Sequence, residues 1–241
     1  MSMENLDKII SQAGEKSTER ETVEGVLNVV CYVFSCVLKG SKSPGDVVDS
    51  FVKKLAASTS HAAIRLKTMA SIYNILGGNS AARYSTILAM ISYASSAGKD
   101  EFAAVAPSDA ALDAMVAEWG LDLAKTRALY TALLEATIKN GKNDEAHALR
   151  IKLLGTFQGQ AATPEALEQA SMTVGELVRN PSVFQFDTYM ELDAIKALKS
   201  HNAHAAVYGL LELFSKDDLK VAPALLAHSL YVRAVPQGRV S

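Results

Sequence analysis

The sequence predicts an all-α protein, built from antiparallel helix pairs stacked as a divergent helical-repeat solenoid of the HEAT or TPR kind. Three observations lead there. Apolar residues recur at i, i+3, i+4 and i+7 through most of the 241 residues, the spacing of one buried helix face. Capping residues and Gly or Pro stops cut that periodicity into pieces of helical length. No credible run of alternating strands interrupts them. Paired helices recur at roughly 35 to 40 residues, the range of helical repeats, without a fixed repeat signature. Short loops between the pieces predict antiparallel neighbours.

Each element has its own reason. Val23 to Leu38 is the most apolar run; interrupted by Glu24 and Asn28, it reads as a buried helix, its valines leaving a strand as the other reading. It falls short of the roughly 18 to 20 residues that a membrane span needs. Ser43-Pro44 reads as a cap with proline at the first helical position, ahead of the stripe Val48, Phe51, Val52 and Leu55. Ser60 is the expected cap of a helix carrying Leu66, Met69, Ala70, Tyr73 and Leu76, which Gly77-Gly78 ends. Asn79 or Ser80 opens the next, with Tyr84, Ile87, Leu88 and Ile91, stopping near Gly98.

After Pro107, Ser108-Asp109 starts a short helix through Leu112 and Val116 to Trp119-Gly120. Asp122 caps one carrying Tyr130, Leu133, Leu134 and Ile138, closed by Asn140-Gly141. Ala146, Leu149, Leu153 and Phe157 line the following helix up to Gly159. Thr163-Pro164-Glu165 begins another, with Leu167, Ala170, Val174, Leu177 and Val178 on one side, and Asn180-Pro181 breaks the chain. Phe184 to Phe214 then reads as two short antiparallel helices that are nearly all packing surface. The first carries Leu192, Ile195 and Leu198; the second carries Val207, Leu210, Leu211 and Phe214.

Composition excludes several functions. Hydrophobic residues make up 49% and charged residues 21%, which argues against disorder. The net charge is −2, from 24 Lys and Arg against 26 Asp and Glu, and no basic block occurs. A chain that holds nucleic acid on its own surface usually shows a basic stripe, so direct sequence-specific binding of nucleic acid is not expected. Met1 to Lys8 is polar and acidic, so no signal peptide is expected there. The two cysteines, Cys31 and Cys36, are about 500° apart around a helix and face different ways. Two buried thiols in a reducing compartment is the expected state.

Constellations that carry chemistry are wanting. Of the five histidines (His61, His147, His201, His204 and His228), His201 and His204 alone have ligand spacing, and no Cys, Asp or Glu completes a site. Gly141-Lys142 resembles the end of a phosphate loop but lacks the earlier glycine and the preceding strand. No Gly-x-Ser-x-Gly occurs. The acidic pairs Asp100-Glu101 and Asp217-Asp218 sit at expected helix starts, where they suit the helix dipole. Trp119, the lone tryptophan, reads as a core anchor at a helix end. No catalytic residue, cofactor or metal is expected.

The order of several stretches resembles the PCI-domain family of scaffold subunits and, within it, the M-subunit branch of eukaryotic translation initiation factor 3. Arg65-Leu66-Lys67 with Ile72-Tyr73-Asn74-Ile75-Leu76 resembles the family's Arg-Leu-Lys and Leu-Tyr-Asn-Leu-Leu. Glu118-Trp119-Gly120-Leu121-Asp122 stands where the family has Glu-Trp-Asn-Ile-Asp, and Leu153 to Phe157 resembles Tyr-Leu-Ala-Thr-Phe. Phe184-Gln185-Phe186-Asp187, Tyr189 to Ile195 and Val207 to Phe214 are similar to its Phe-Gln-Cys-Asp, Leu-Leu-Asp-Leu-Pro-Ala-Val and Leu-Val-Tyr-Gln-Leu-Leu-Lys-Ile-Phe.

The resemblance implies a helical-repeat region over 1–180, the start of a PCI domain over 181–231, and a tail over 232–241. The family's winged helix has no counterpart in that tail. Leu219 to Ala234 has room for one more helix. The resemblance also implies a non-catalytic, cytoplasmic scaffold subunit with no membrane contact. Its partners would be other PCI and MPN-type subunits, and through the complex the small ribosomal subunit. Interface candidates are Tyr189, Leu192, Ile195, Leu225 and Tyr231. Two other settings share the family's features, the COP9 signalosome and the proteasome lid. A freestanding helical-repeat adaptor shares the fold, and an enzyme would need a polar cleft with perturbed ionisable groups.

Overall fold

The computed structural model describes residues 20–40, 44–78, 80–179 and 186–215. Among them run twelve helices and no strand: α1 (Arg20–Gly40), α2 (Pro44–Leu55), α3 (Ala62–Ile75), α4 (Ser80–Ala97), α5 (Lys99–Val105), α6 (Asp109–Trp119), α7 (Leu123–Lys139), α8 (Asn143–Gly155), α9 (Pro164–Arg179), α10 (Phe186–Met190), α11 (Asp193–Ser200) and α12 (Ala205–Ser215). The all-α expectation is borne out. Two compact units divide the chain, Met1–Ala146 and His147–Ser241, with the division inside α8. The expected domain limit at 180 and 181 lies outside the described residues. So do Ser43, Asn79, Asn180-Pro181, Phe184-Gln185 and the segment from Leu219 to Ala234.

In the first unit α1 packs on α3, α2 on α4, and α4 on α3, α5, α6 and α7. Hydrogen bonds fix the directions. At the start of α4, Ser85 Oγ donates to Asp49 of α2 at 2.7 Å; near its end the Tyr93 hydroxyl donates to the Ser58 carbonyl, just past α2, at 2.7 Å. Likewise the Tyr84 hydroxyl donates to the Lys125 carbonyl at 3.0 Å, and Asn140 Nδ2 to Ser95 Oγ at 3.3 Å. The pairs α2 with α4 and α4 with α7 therefore run parallel. The partners in these bonds lie 35 to 45 residues apart, close to the repeat expected from the sequence.

The core follows the apolar stripes. Phe34 and Phe51 stack with centroids 4.6 Å apart, joining α1 to α2. Leu55, Met69, Ile72, Ile91, Phe102 and Leu129 are fully buried. Burying one such side chain stabilises by about 1.5–3 kcal/mol, which is what turns marginal isolated helices into a stack. Ser108 accepts from the Ala111 N–H and Asp122 from the Lys125 N–H, two of the caps that the sequence marks. Gly120 closes α6 at φ 56°, a left-handed turn that glycine adopts without a Cβ penalty.

Two expectations for this unit change. The Val23 to Leu38 helix is buried along one face only: Val23, Leu27, Val30, Cys31 and Phe34 face the core, while Val29 and Tyr32 are 63% and 72% exposed. With it, Cys31 is buried and Cys36 exposed, so one thiol of the two is inside. Ser60 does not cap α3. The N-cap is His61 at φ 55°, with no side-chain cap bond. The Ser60 carbonyl instead accepts from Arg65 Nε at 2.8 Å, while Arg65 Nη1 donates to the Leu55 carbonyl at 3.1 Å. The guanidinium thus satisfies the last carbonyl of α2, where a cation suits the helix dipole, and one in the loop before α3.

In the second unit Leu167, Ala170, Val174 and Leu177 of α9 are buried, and α9 packs on α11 and α12. Ala194, Ile195 and Leu198 of α11 and Val207 and Leu211 of α12 are buried too. The stretch read as two helices forms three. Glu191 and Leu192 leave the helical path after α10, with Leu192 extended at ψ 132° as the N-cap of α11.

Candidate protein interface

Chemistry-bearing groups of the second unit converge on its interior. The Tyr189 hydroxyl, on α10, donates to the His147 carbonyl oxygen at 3.2 Å and lies 3.0 Å from His147 Nδ1 on α8. Arg150, one turn along α8, is buried and paired with Glu176 of α9. Burial pushes the Tyr189 phenol up to about 12, against a smaller downward pull from the Arg150 guanidinium. The same desolvation lowers Arg150 from the ordinary guanidinium value. These perturbations come from packing. The groups tie three helices together and open onto no described cleft.

The five interface candidates separate on this geometry. Tyr189 and Ile195 are buried inside the unit rather than exposed, because α10 and α11 turn their apolar sides to α12. Leu192, at the break between α10 and α11, keeps part of its side chain at the surface. Leu225 and Tyr231 lie outside the described residues.

Surface apolar residues that the sequence reading passed over lie in the first unit. Val29 and Tyr32, three apart on α1, share an outward strip. The signal was present, since Val29 and Tyr32 fall off the Val23, Leu27, Val30, Phe34 stripe, but the run's overall apolarity hid it. Asp49, Val52, Ala56, Ser85, Ala89 and Ser92 line a groove of ≈ 360 Å³ between α2 and α4.

Trp119 is an anchor, 8% exposed, with its ring edge-on to Tyr73 at 6.2 Å. The Arg83 guanidinium sits over the Tyr73 ring at 4.3 Å and meets Glu118 at 3.2 Å. The Arg-Leu-Lys stretch is likewise structural: Arg65 holds the end of α2, and Lys67 pairs with Glu24 of α1. His201 and His204 rings lie 5.3 Å apart. No group of three or more His, Cys, Asp or Glu among the described residues is placed to hold a metal ion. No described helix is long and apolar enough to cross a membrane.

Fold and surface together define an all-α helical-repeat protein, in which the buried Arg65, Arg150 and Tyr189 tie helices together. No family model matches the chain. It is similar to curated proteins named eukaryotic translation initiation factor 3 subunit M. The one from Aspergillus clavatus is 26% identical over 181 residues, covering 74% of this chain and 37% of the relative. The one from Phaeosphaeria nodorum is 26% identical over 155 residues, 64% of this chain and 34% of the relative. The one from Pyricularia oryzae is 24% identical over 229 residues, 90% of this chain and 51% of the relative. The likeness is distant, and the chain spans a third to a half of the length of these relatives.

Proposed function

We propose that the chain is a non-catalytic scaffold subunit of a eukaryotic translation initiation factor 3 complex, working in the cytoplasm to support pre-initiation complex assembly on the small ribosomal subunit. The observation that carries this reading is the likeness to subunit M over 155 to 229 residues in three relatives. The all-α fold agrees with it. The action is passive. Packed helices hold surface residues in a fixed pattern, and partners of PCI and MPN type dock on that pattern. On this reading the end of the second unit belongs to a PCI domain, and Leu192, Leu225 and Tyr231 face a partner subunit, with Tyr189 and Ile195 holding Leu192 in place from beneath.

The test is affinity purification of the tagged chain from its own cytosol at moderate salt, with mass spectrometry of co-purifying proteins. Initiation-factor subunits in near-equal amounts are expected. Signalosome or proteasome-lid subunits in their place would move the chain to another complex with the same fold. Recovery as a stable monomer would leave a freestanding adaptor.

A further inference from the structure

Arg83 and Trp119 bring two N–H donors to one place without an acceptor for either. Arg83 Nη1 donates to Glu118 Oε1 at 3.2 Å. Arg83 Nε and Trp119 Nε1 are both buried, and neither meets a hydrogen-bond acceptor among the described residues. Folded proteins satisfy about nine in ten buried polar groups, so two orphans on adjoining side chains need a reason. The rings leave the guanidinium little freedom: its carbon is 4.3 Å from the Tyr73 centroid and 5.8 Å from that of Trp119.

We propose that Tyr73, Arg83 and Trp119 form a pocket for a carboxylate, an Asp or Glu side chain of a protein partner, which displaces Glu118 from Arg83. Indole and guanidinium nitrogens only donate, so the missing group is an acceptor, and the guanidinium charge selects an anion. The Nε edge of an arginine matches a carboxylate in bidentate fashion. Glu118 already shows that a carboxylate fits Nη1, yet it reaches one nitrogen only. It is 64% exposed, and an exposed pair of that kind contributes little, so exchange is easy.

The setting favours protein over nucleic acid. A phosphate backbone would bring many charges against Glu118 and Asp122, on a chain whose net charge is −2. A buried Trp119 with half-buried Tyr73 and Arg83 beside it joins the residue types enriched in interface hot spots. The pocket belongs to the first unit alone and does not depend on which complex holds the chain.

Trp119 is the sole tryptophan of the chain, so its emission reads this pocket without a label. The full chain is titrated with sodium acetate and with the blocked dipeptide acetyl-glutamyl-glycinamide, against sodium chloride and inorganic phosphate at matched ionic strength. A saturable change with acetate and the peptide, absent with chloride, is expected. Glu118→Ala, at an exposed site, is expected to lower the half-saturation concentration at least threefold by removing the internal competitor. Arg83→Gln is expected to raise it at least tenfold. A response that is absent in both the wild type and Glu118→Ala overturns the proposal. So does one matched by chloride, or one stronger with phosphate than with acetate. Should Arg83→Gln fail to fold, the sign of the Glu118→Ala change decides alone: weaker or unchanged binding overturns it.

Discussion

The Tyr189 hydroxyl stands 3.0 Å from His147 Nδ1 and 3.2 Å from the His147 carbonyl oxygen, so one phenol pins α10 to α8 through two bonds. With its proton on the carbonyl, the hydroxyl can still accept from a protonated Nδ1. Tyr189→Phe removes both bonds while keeping the ring. Its expected cost is about 1–2 kcal/mol in urea unfolding. Tyr189→Ala also opens a cavity and costs about 3–5 kcal/mol.

The same side chain gives a pH signature. Burial favours the neutral phenol, raising its pKa from 10.0 to about 12 in the fold. The stabilisation is complete below pH 10 and is lost as the pH climbs towards 12. Cys31, raised by burial from 9.0 to about 11, loses its share over the interval from 9 to 11. Thermal unfolding measured from neutral pH upward should be flat until about pH 9 and then fall. Tyr189→Phe should shrink the upper part of that fall, to which Tyr84 and Tyr93, also raised by burial, contribute, and leave the Cys31 part.

Thiol chemistry separates the two cysteines. Cys36 is exposed, whereas Cys31 is buried against α3, its Sγ 3.8 Å from the Thr68 carbonyl oxygen. A maleimide at pH 8 should label one thiol in the native protein and two in denaturant. Cys36→Ser should abolish the native reaction, and equal rates at both positions would contradict the burial of Cys31.

Arg150 and Glu176 make an asymmetric pair, since the guanidinium is buried and the carboxylate is partly exposed. Glu176→Gln leaves a buried charge poorly compensated and should cost about 2 kcal/mol. Arg150→Met replaces the charge with an apolar chain of similar reach and should cost less. The reverse order in urea unfolding would place the pair's value in attraction rather than in relief of desolvation.

Asp122 and Gly120 set the corner between α6 and α7. Asp122→Ala loses the bond to the Lys125 N–H and should cost about 1 kcal/mol. Gly120→Ala puts a Cβ on a left-handed residue and should cost about 1–2 kcal/mol. Measured together, the two should fall short of additivity, because they shape one turn.

Helix existence was legible wherever a stripe met a cap or stop: Ser108, Asp122, Gly120 and the Thr163-Pro164 start all do what local chemistry dictates. His61 was not, because a left-handed histidine carries no sequence mark and the Arg65 guanidinium takes the carbonyl of the residue expected to cap. The break at Glu191 and Leu192 was hidden by an apolar spacing that continues across it. Which apolar residues lie inside was harder still. Leu192, Ile195 and Leu198 share one periodicity, yet their exposure depends on where α12 returns, a tertiary fact. The Arg83 and Trp119 donors lie 36 positions apart, so no local pattern could pair them.

The parallel register of α2 with α4 and of α4 with α7 has a mechanical meaning. Among the described residues, the bonds that join α2 to α4 and α4 to α7 reach 35 to 45 residues, so they do not ask the first unit to join its distant ends. Closure entropy is met in small equal instalments as the stack grows, which favours rapid ordering from any starting pair. For the same reason the stack opens piecewise: α1 can peel from α3 while α4 and α7 stay locked, as a zip opens from one end. Amide exchange should therefore grade along the unit, slowest around α4, which touches the most neighbours, and fastest at α1.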